Sequence, residues 1–243
     1  MVYIKNNTVS KIPKARLLYI MGATWHNQCM FDLDIENNFS TILNNYGIET
    51  YSFNIVGSGP QPKTEFIGDK HEDNVRIAEE LIKQYDIDFI MGYSYGCKVV
   101  ADVIKNVNLK AAILLDPLVK IEIKTESIDN DDKIQLSKDN ILQSIIQYQA
   151  TINDSILKKH LQELCAGDTI VTASYPRLAR KTTMLSSTLP KQIFFTKNSN
   201  LEHRSKFLEH VVKFYPNASH WILLEEYRKD LAADINNFIL QHK

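Results

Sequence analysis

The stretch DFIMGYSYGCKVVADVI, at residues 88–104, places one serine between two glycines where an apolar run meets a helical pattern. Residues 88–91 are typical of a strand, and the apolar residues of 97–104 recur with helical spacing. Residues 92–96, GYSYG, span the junction and supply a G-x-S-x-G pattern in the strand–turn–helix context that this motif requires. The stretch therefore predicts a sharp turn that carries Ser94.

Ser94 is the candidate nucleophile. A serine at such a turn has a strained backbone, and the residues two before and two after it pack against neighbouring backbone, which glycine at 92 and 96 permits. A helix that begins at Tyr95 directs free amides and its positive dipole end toward an oxyanion beside Ser94. The alternative is that the glycines end a strand and the serine caps a helix.

A serine hydroxyl is a weak nucleophile at neutral pH and needs a base, usually a histidine. His220, in FYPNASHWILLEE, follows the last strand-like run and precedes the C-terminal helix, on the same rim of a parallel sheet as Ser94. The alternative for His220 is a loop histidine bonded to backbone. His26 lies close to another rim loop. The other histidines fall on or beside charged helical stretches and are predicted to be surface residues: His71, His160, His203, His210 and His242.

Strands and helices alternate along most of the chain. Predicted strands cover 15–21, 48–55, 87–91, 111–115, 192–196 and 211–215, and predicted helices cover 35–46, 74–85, 95–106, 205–210 and 225–240. Most strand runs are apolar without alternation, as expected when both faces of a sheet are covered. The pattern predicts an α/β fold with a mostly parallel sheet flanked by helices. Residues 2–9 are predicted to add an edge strand or hairpin.

The alternation stops between Pro117 and Pro190. Residues 122–132 are predicted to form a loop, and 140–165 a long amphipathic helical region with an apolar stripe that consists of Ile141, Ile145, Tyr148, Ile152, Ile156 and Leu161. We interpret about 121–188 as a lid inserted into a single domain of residues 1–243. A helical hairpin that completes the core is the alternative, because periodicity indicates burial without naming the partner.

The composition narrows the functional classes. With 28 basic and 29 acidic side chains among 243 residues, the chain has no overall charge that favours nucleic acid or an anionic membrane. No stretch approaches the roughly 20 apolar residues of a membrane helix, and no signal-peptide pattern opens the sequence. Three widely spaced cysteines fit neither a disulfide framework nor a zinc site, so we expect a cytoplasmic protein: Cys29, Cys97 and Cys165.

Three segments together resemble the α/β-hydrolase superfamily, over most of the chain outside the predicted insertion. They are GYSYG at 92–96, LLYIMGATW at 17–25, and SHW before a final amphipathic helix at 219–240. Gly57 and Gly59 in NIVGSGPQP similarly resemble the superfamily's glycine turn. The resemblance implies the α/β-hydrolase fold with a helical lid insertion, and the activity of a serine esterase or thioesterase.

By this resemblance Ser94 is the nucleophile and His220 the general base and acid. The oxyanion hole then uses the amide of Tyr95 and a second amide from the loop after Gly22, where Ala23 is the first candidate and Thr24 the next. The sequence departs from the common His-Gly form of this loop, since Met21 precedes Gly22.

The acid that orients the histidine has two carboxylate candidates between 94 and 220, because the superfamily's order is serine, acid, histidine. In most relatives it follows the penultimate strand, where this chain has Asn200. Asp116, in LLDPL, resembles the acid of family lipases that follows an earlier strand, and Glu202 requires a local shift. We favour Asp116. The alternatives are an Asp-Pro turn for Asp116 and a helix N-terminal charge for Glu202.

Such a constellation hydrolyses a carboxylic ester or acyl thioester through an acyl-serine and needs no cofactor or metal. We expect a small-molecule or acyl-carrier-linked substrate, and aromatic residues near the rim favour an apolar pocket: Trp25, Phe31, Tyr93, Tyr95 and Trp221. Acyl transfer, cyclisation and carbon–carbon bond hydrolysis use the same groups. A hydrolase-like ligand-binding protein is the second class, favoured by the missing aspartate at position 200, whereas Ser94 and His220 favour an enzyme.

Overall fold

The computed structural model describes residues 4–7, 12–22, 30–55, 71–117, 133–136, 143, 146, 150–164, 169–172, 188–197 and 211–243. The elements follow in the order β1 (Ile4–Asn7), β2 (Ala15–Ile20), α1 (Phe39–Asn45), β3 (Ile48–Phe53), α2 (His71–Tyr85), β4 (Phe89–Tyr93), α3 (Gly96–Val103), β5 (Ala111–Leu115), β6 (Lys133–Leu136), α4 (Asp154–Leu164), β7 (Thr169–Thr172), β8 (Lys191–Thr196), β9 (Val211–Tyr215) and α5 (Arg228–Gln241). The predicted helix at 205–210 and the predicted loop at 122–132 lie outside the described residues.

A seven-stranded sheet has the order β1-β3-β2-β4-β5-β8-β9. The first strand pairs antiparallel with β3, and every other neighbouring pair is parallel. This confirms the predicted mostly parallel sheet and the predicted edge strand. Because six strands run in one direction, their C-terminal ends share one edge of the sheet, and β4 lies near its middle.

Residues of the central strands alternate between two apolar clusters, one on each face of the sheet. On β4, Phe89, Met91 and Tyr93 belong to the cluster that includes residues of α1 and α5, whereas Ile90 belongs to the cluster that includes residues of α2 and α3. Both faces are therefore covered, which explains why the strands are apolar throughout rather than alternating.

The first helix, α1, begins directly after an asparagine that caps it. The side chain of Asn38 accepts a hydrogen bond from the Thr41 amide at 2.8 Å, as a helix N-cap does. The helix therefore starts at Phe39 rather than at the predicted residue 35. Asn37, with a φ of 55°, turns the chain just before the cap.

The described part of the predicted lid is helical at residues 143 and 146 and in α4, but it is not an unbroken helical region over 140–165. Residues 150–153 are not helical, and Asn153 Oδ1 accepts from the Ser155 amide at 2.9 Å, which caps α4. Ile156 is buried in the cluster that α1 and α5 share, and Ile152 and Leu161 pack against it. This part of the segment packs on the domain core, while Ile141, Ile145 and Tyr148 lie outside the described residues.

A second sheet of two antiparallel strands, absent from the sequence-based prediction, pairs Lys133–Leu136 with Thr169–Thr172. These strands precede and follow α4 along the chain. In the described ranges, no helix is both long and apolar enough to cross a bilayer.

Candidate active site

Ser94 lies at a sharp turn between β4 and α3. Its φ is +54°, a left-handed conformation that is uncommon for a residue with a side chain, and it is buried. A Cβ atom on Gly96 would lie 2.1 Å from the carbonyl oxygen of Ile20, and one on Gly92 would lie 2.6 Å from the backbone of Gly96. Both flanking positions therefore require glycine, for the steric reason that the motif implies.

Two further contacts fix this turn at the edge of the sheet. The Ser94 amide donates to the carbonyl of Leu115, the last residue of β5, at 2.9 Å. A Cβ atom on Gly22, which follows β2, would lie 3.0 Å from Ser94 Cβ and 3.4 Å from Ser94 Oγ. The Ser94 hydroxyl thus lies beside the chain that leaves β2.

Asp116 directly follows β5, and its carboxylate has three hydrogen-bonding contacts. Oδ2 accepts from the Thr196 hydroxyl at 2.9 Å and is hydrogen-bonded to His220 Nδ1, and Oδ1 accepts from the Thr196 amide at 3.3 Å. Asp116 is buried and has a φ of +48°, and its own amide donates to the Phe194 carbonyl at 2.8 Å. The end of β8 therefore fixes the carboxylate that contacts the histidine.

Tyr93 connects the histidine to the turn that carries Ser94. Its ring stacks on the His220 ring with centroids 4.9 Å apart, and its hydroxyl donates to the His220 carbonyl. The His220 side chain is 20% exposed to solvent. Since Tyr93 is the residue before Ser94, His220 is held close to the serine turn from one side and by Asp116 from the other.

Glu225 is hydrogen-bonded to the residue before His220. Its carboxylate is fully buried and accepts from the Ser219 amide at 2.9 Å and from the Ser219 hydroxyl at 2.8 Å. It also accepts from the Thr151 amide at 3.0 Å. One carboxylate therefore joins the histidine loop to the segment that leads into α4.

The predicted oxyanion donors are only partly within the described ranges. Tyr95 lies at the N-terminus of α3, immediately after Ser94, whereas Ala23 and Thr24 are outside the described residues. The Tyr95 side chain is buried among the residues of α2 and α3, on the opposite face of the sheet from Tyr93. We predicted that Tyr95 lines a pocket together with Tyr93. The two side chains lie on opposite faces of the sheet because the turn at Ser94 ends the strand, in which residues two apart would share a face.

The structure brings Asp116 and His220 together and places Ser94 at the end of the adjacent strand. Glu202 and Asn200 lie outside the described residues, as do Trp25 and the histidines at 26, 203 and 210. The catalytic roles stay predictions.

Two histidines predicted to be at the surface are not there. His71 bonds to Tyr95 and Asp102, and His160 is fully buried with its ring 5.5 Å from that of Trp221. The surface prediction relied on their charged neighbours in the sequence. Such neighbours are a poor guide on a helix, because one helix has both an exposed and a buried face. His242, by contrast, is partly exposed and bonds to a helix carbonyl.

Three contacts of the site were not predicted: those of Thr196, Tyr93 and Glu225. Thr196 ends β8 and carries no sequence signal beyond that position. Glu225 carries no clear signal either, because Glu226 follows the same apolar run and its side chain is 72% exposed.

Cys97 is the other nucleophilic side chain near this turn. It is fully buried, its thiol donates to the Gly92 carbonyl at 3.1 Å, and burial raises its pKa well above the ordinary value. A neutral, buried thiol does not compete with Ser94 as a nucleophile. Among the described residues, no group of three or more histidine, cysteine or acidic side chains is arranged to hold a metal ion.

No family model matches this sequence, and no curated protein matches it either. Solved structures do match over its full length. A soluble variant of monoglyceride lipase from Saccharomyces cerevisiae, in complex with a substrate analogue, is 14% identical and has a TM-score of 0.72 over 100% of this chain and 91% of that one.

Two other solved structures are similar to a comparable degree. The monoacylglycerol lipase of Paleococcus ferrophilus is 14% identical, with a TM-score of 0.69 over 100% of both chains. Est1E from Butyrivibrio proteoclasticus, solved with ferulic acid, is 13% identical, with a TM-score of 0.66 over 99% of this chain and 95% of that one. The shared architecture is that of the α/β-hydrolases.

Proposed function

We propose that this chain, which has the α/β-hydrolase fold, is a serine hydrolase that cleaves a carboxylic ester or an acyl thioester through an acyl-Ser94 intermediate. The observation that carries the proposal is the Asp116–His220 hydrogen bond at the strand end next to the strained Ser94 turn. The lipases and the esterase among the similar structures support ester hydrolysis in general.

Each residue has a distinct role in the proposed reaction. His220 takes the proton of Ser94 as the hydroxyl oxygen attacks the carbonyl, and Asp116 holds the Nδ1 proton and stabilises the imidazolium that forms. The amides of Tyr95 and Ala23 stabilise the oxyanion of the tetrahedral intermediate. His220 then protonates the leaving group, and a water molecule releases the acid from Ser94 by the same steps.

The apolar surroundings favour a substrate with an uncharged acyl group. Phe31, Tyr93 and Trp221 belong to one buried cluster, against which Ile152 of the insertion also packs. These three side chains are almost fully buried. We propose that the cluster continues into the substrate site, where an apolar lining binds an acyl chain by removing it from water. We therefore favour a small acyl ester or acyl thioester.

The ligand-binding alternative was favoured because Asn200 stands where most relatives have the acid. The hydrogen bond between Asp116 and His220 offers a carboxylate partner from another strand, which supports an enzyme over a ligand-binding protein. Acyl transfer, cyclisation and carbon–carbon bond hydrolysis use the same groups, and product analysis separates them from hydrolysis.

The decisive experiment combines activity with covalent labelling. Wild-type protein is expected to hydrolyse short p-nitrophenyl esters. A fluorophosphonate is expected to label the intact protein at Ser94, and mass spectrometry identifies the labelled residue. Ser94→Ala should lose both with an unchanged circular dichroism spectrum, whereas Ser52→Ala, at a buried serine of β3, should keep both. Labelling at another residue contradicts the proposal. Matched oxygen esters and thioesters then identify the preferred substrate class from kcat/KM.

A further inference from the structure

A second histidine lies in a hydrogen-bonded chain behind the serine turn. His71, the first residue of α2, has Nδ1 2.7 Å from the Tyr95 hydroxyl and Nε2 2.9 Å from Asp102 Oδ2. Asp102 is also paired with Lys98 and with Lys105, the latter at 2.6 Å. We call the chain of Tyr95, His71 and Asp102 the tyrosine anchor.

The ionised carboxylate of Asp102 fixes the direction of its hydrogen bond with His71. Burial acts to raise the pKa of Asp102, but hydrogen bonds from His71, Lys105 and Lys98 outweigh it and hold that pKa well below the ordinary value. An ionised carboxylate only accepts, so His71 Nε2 carries a proton. Burial, with a smaller contribution from the charge of Asp102, raises the pKa of Tyr95 well above its ordinary value. The tyrosine therefore stays protonated, so its hydroxyl has a proton to donate to His71 Nδ1.

The tyrosine anchor connects two helices at the residue that follows Ser94. Tyr95 precedes α3, Asp102 lies two turns along the same helix, and His71 reaches both from the start of α2. The three side chains therefore form a hydrogen-bonded link between α2 and α3, with the Tyr95 side chain buried.

We propose that the tyrosine anchor aims the Tyr95 amide at the oxyanion, with His71 and Asp102 as positioning residues. This inference rests on the proposed function, in which that amide is one of the two oxyanion donors. An oxyanion donor acts only at about 2.7–3.1 Å from the developing charge. A Tyr95 side chain without its hydroxyl bond leaves the amide free to shift by a few tenths of an ångström, which weakens the transition state more than substrate binding.

Tyr95→Phe tests the inference, because it keeps the ring and the amide and removes only the hydroxyl. We expect kcat/KM to fall about tenfold, less than the roughly 10²–10³-fold loss of kcat when an oxyanion donor is removed outright. The Ki of a trifluoromethyl ketone, whose adduct with Ser94 places an oxyanion in the same hole, should rise by the same factor. The Kd of the carboxylic acid product should not change. Tyr85→Phe is the matched control, since Tyr85 packs against Tyr51 on the same face of the sheet.

Variants of His71 provide the same test independently if Tyr95→Phe does not fold. His71→Asn keeps an acceptor near the position of Nδ1, whereas His71→Leu does not. We expect His71→Asn to retain more activity and tighter ketone binding than His71→Leu, with similar product affinity in both.

The outcomes that contradict the inference differ from those that contradict the proposed function. A wild-type protein that neither hydrolyses esters nor binds the ketone overturns the proposed function and this inference with it. An active wild type, with a Tyr95→Phe variant that loses thermal stability while keeping kcat/KM and ketone affinity, overturns the inference alone.

Discussion

At the scale of single residues, strain and hydrogen bonding meet at the ends of two adjacent strands. Ser94 and Asp116, which follow β4 and β5, both have positive φ angles. Aspartate tolerates this conformation better than most residues, and serine does so at some cost. Such strain persists only where surrounding contacts impose it, and here the Ser94 and Asp116 amides are bonded to the neighbouring strands.

Asp116→Asn is expected to reduce turnover by about 10⁴-fold while substrate binding changes little, as the same substitution does in a serine protease. An amide at this position can present a donor to His220 Nδ1, which selects the wrong tautomer and leaves the imidazolium without a counter-charge. Steady-state kinetics on a p-nitrophenyl ester measure the loss.

Glu202→Gln and Asn200→Asp are the matched comparisons, because these positions carry the competing assignments of the acid. Both variants should keep turnover close to that of the wild type. A collapse of turnover in Glu202→Gln, together with an active Asp116→Asn, would transfer the role to Glu202.

The sequence predicted part of this local arrangement. Ser94 and His220 could be proposed from motif and order, and Asp116 from its place at a strand end in LLDPL. The hydroxyl of Thr196 could not, because its contact with Asp116 joins residues 80 positions apart and depends on the pairing of β5 with β8. Pairing of that kind is a tertiary property that strand patterns leave open.

At the scale of elements, the turn between β4 and α3 depends on how closely it packs against β2. A Cβ atom on Gly96 would come within 2.1 Å of the Ile20 carbonyl oxygen, whereas one on Gly22 would lie 3.0 Å from Ser94 Cβ and 3.4 Å from Ser94 Oγ. The first distance is far too short and involves backbone of the central sheet, whereas the second requires a shift of only a few tenths of an ångström. We therefore expect Gly96 to be required mainly for the stability of the fold and Gly22 mainly for the position of the Ser94 side chain.

Gly96→Ala should destabilise the fold by at least about 3 kcal/mol, the upper end of the usual cost of overpacking. Gly22→Ala should cost roughly 1 kcal/mol and mainly reduce turnover, because it crowds Ser94. Urea denaturation and ester kinetics on both variants measure the difference. A stable, active Gly96→Ala would show that the turn has more room than the structure gives it.

The elements of the seven-stranded sheet were predictable, whereas the strands of the second sheet were not. Strand β5 has the predicted bounds, and α2 and α5 begin within a few residues of them. The strands of the second sheet have four residues each, below the usual five or six, and no apolar run marks them. The start of α4 was readable in principle, since Asn153 followed by Asp154 and Ser155 is a helix-capping sequence.

At the scale of the whole molecule, the insertion and the histidine loop share one buried carboxylate. Glu225 accepts from the Ser219 amide and from the Thr151 amide, so one carboxylate links the chain before α4 to the residue before His220. This contact gives the segment a place in the core, while its position over the cluster that contains Trp221 keeps it close to the site. Some residues of the segment therefore belong to the core, while others are free to act as a lid.

Ile152 and Ile156 separate the two roles. Ile156 is buried in the core cluster, and Ile156→Ala should cost about 2–4 kcal/mol of unfolding free energy with little change in substrate preference. Ile152 is only partly buried beside that cluster, so Ile152→Ala should lower stability less and alter acyl-chain preference by up to about tenfold, the range for a change in an apolar pocket. Thermal denaturation and the ratio of kcat/KM for p-nitrophenyl acetate and octanoate measure both effects. Equal stability losses with unchanged preference would assign the whole described part of the segment to the core, because a residue that lines the pocket cannot be shortened without altering which acyl chains it binds.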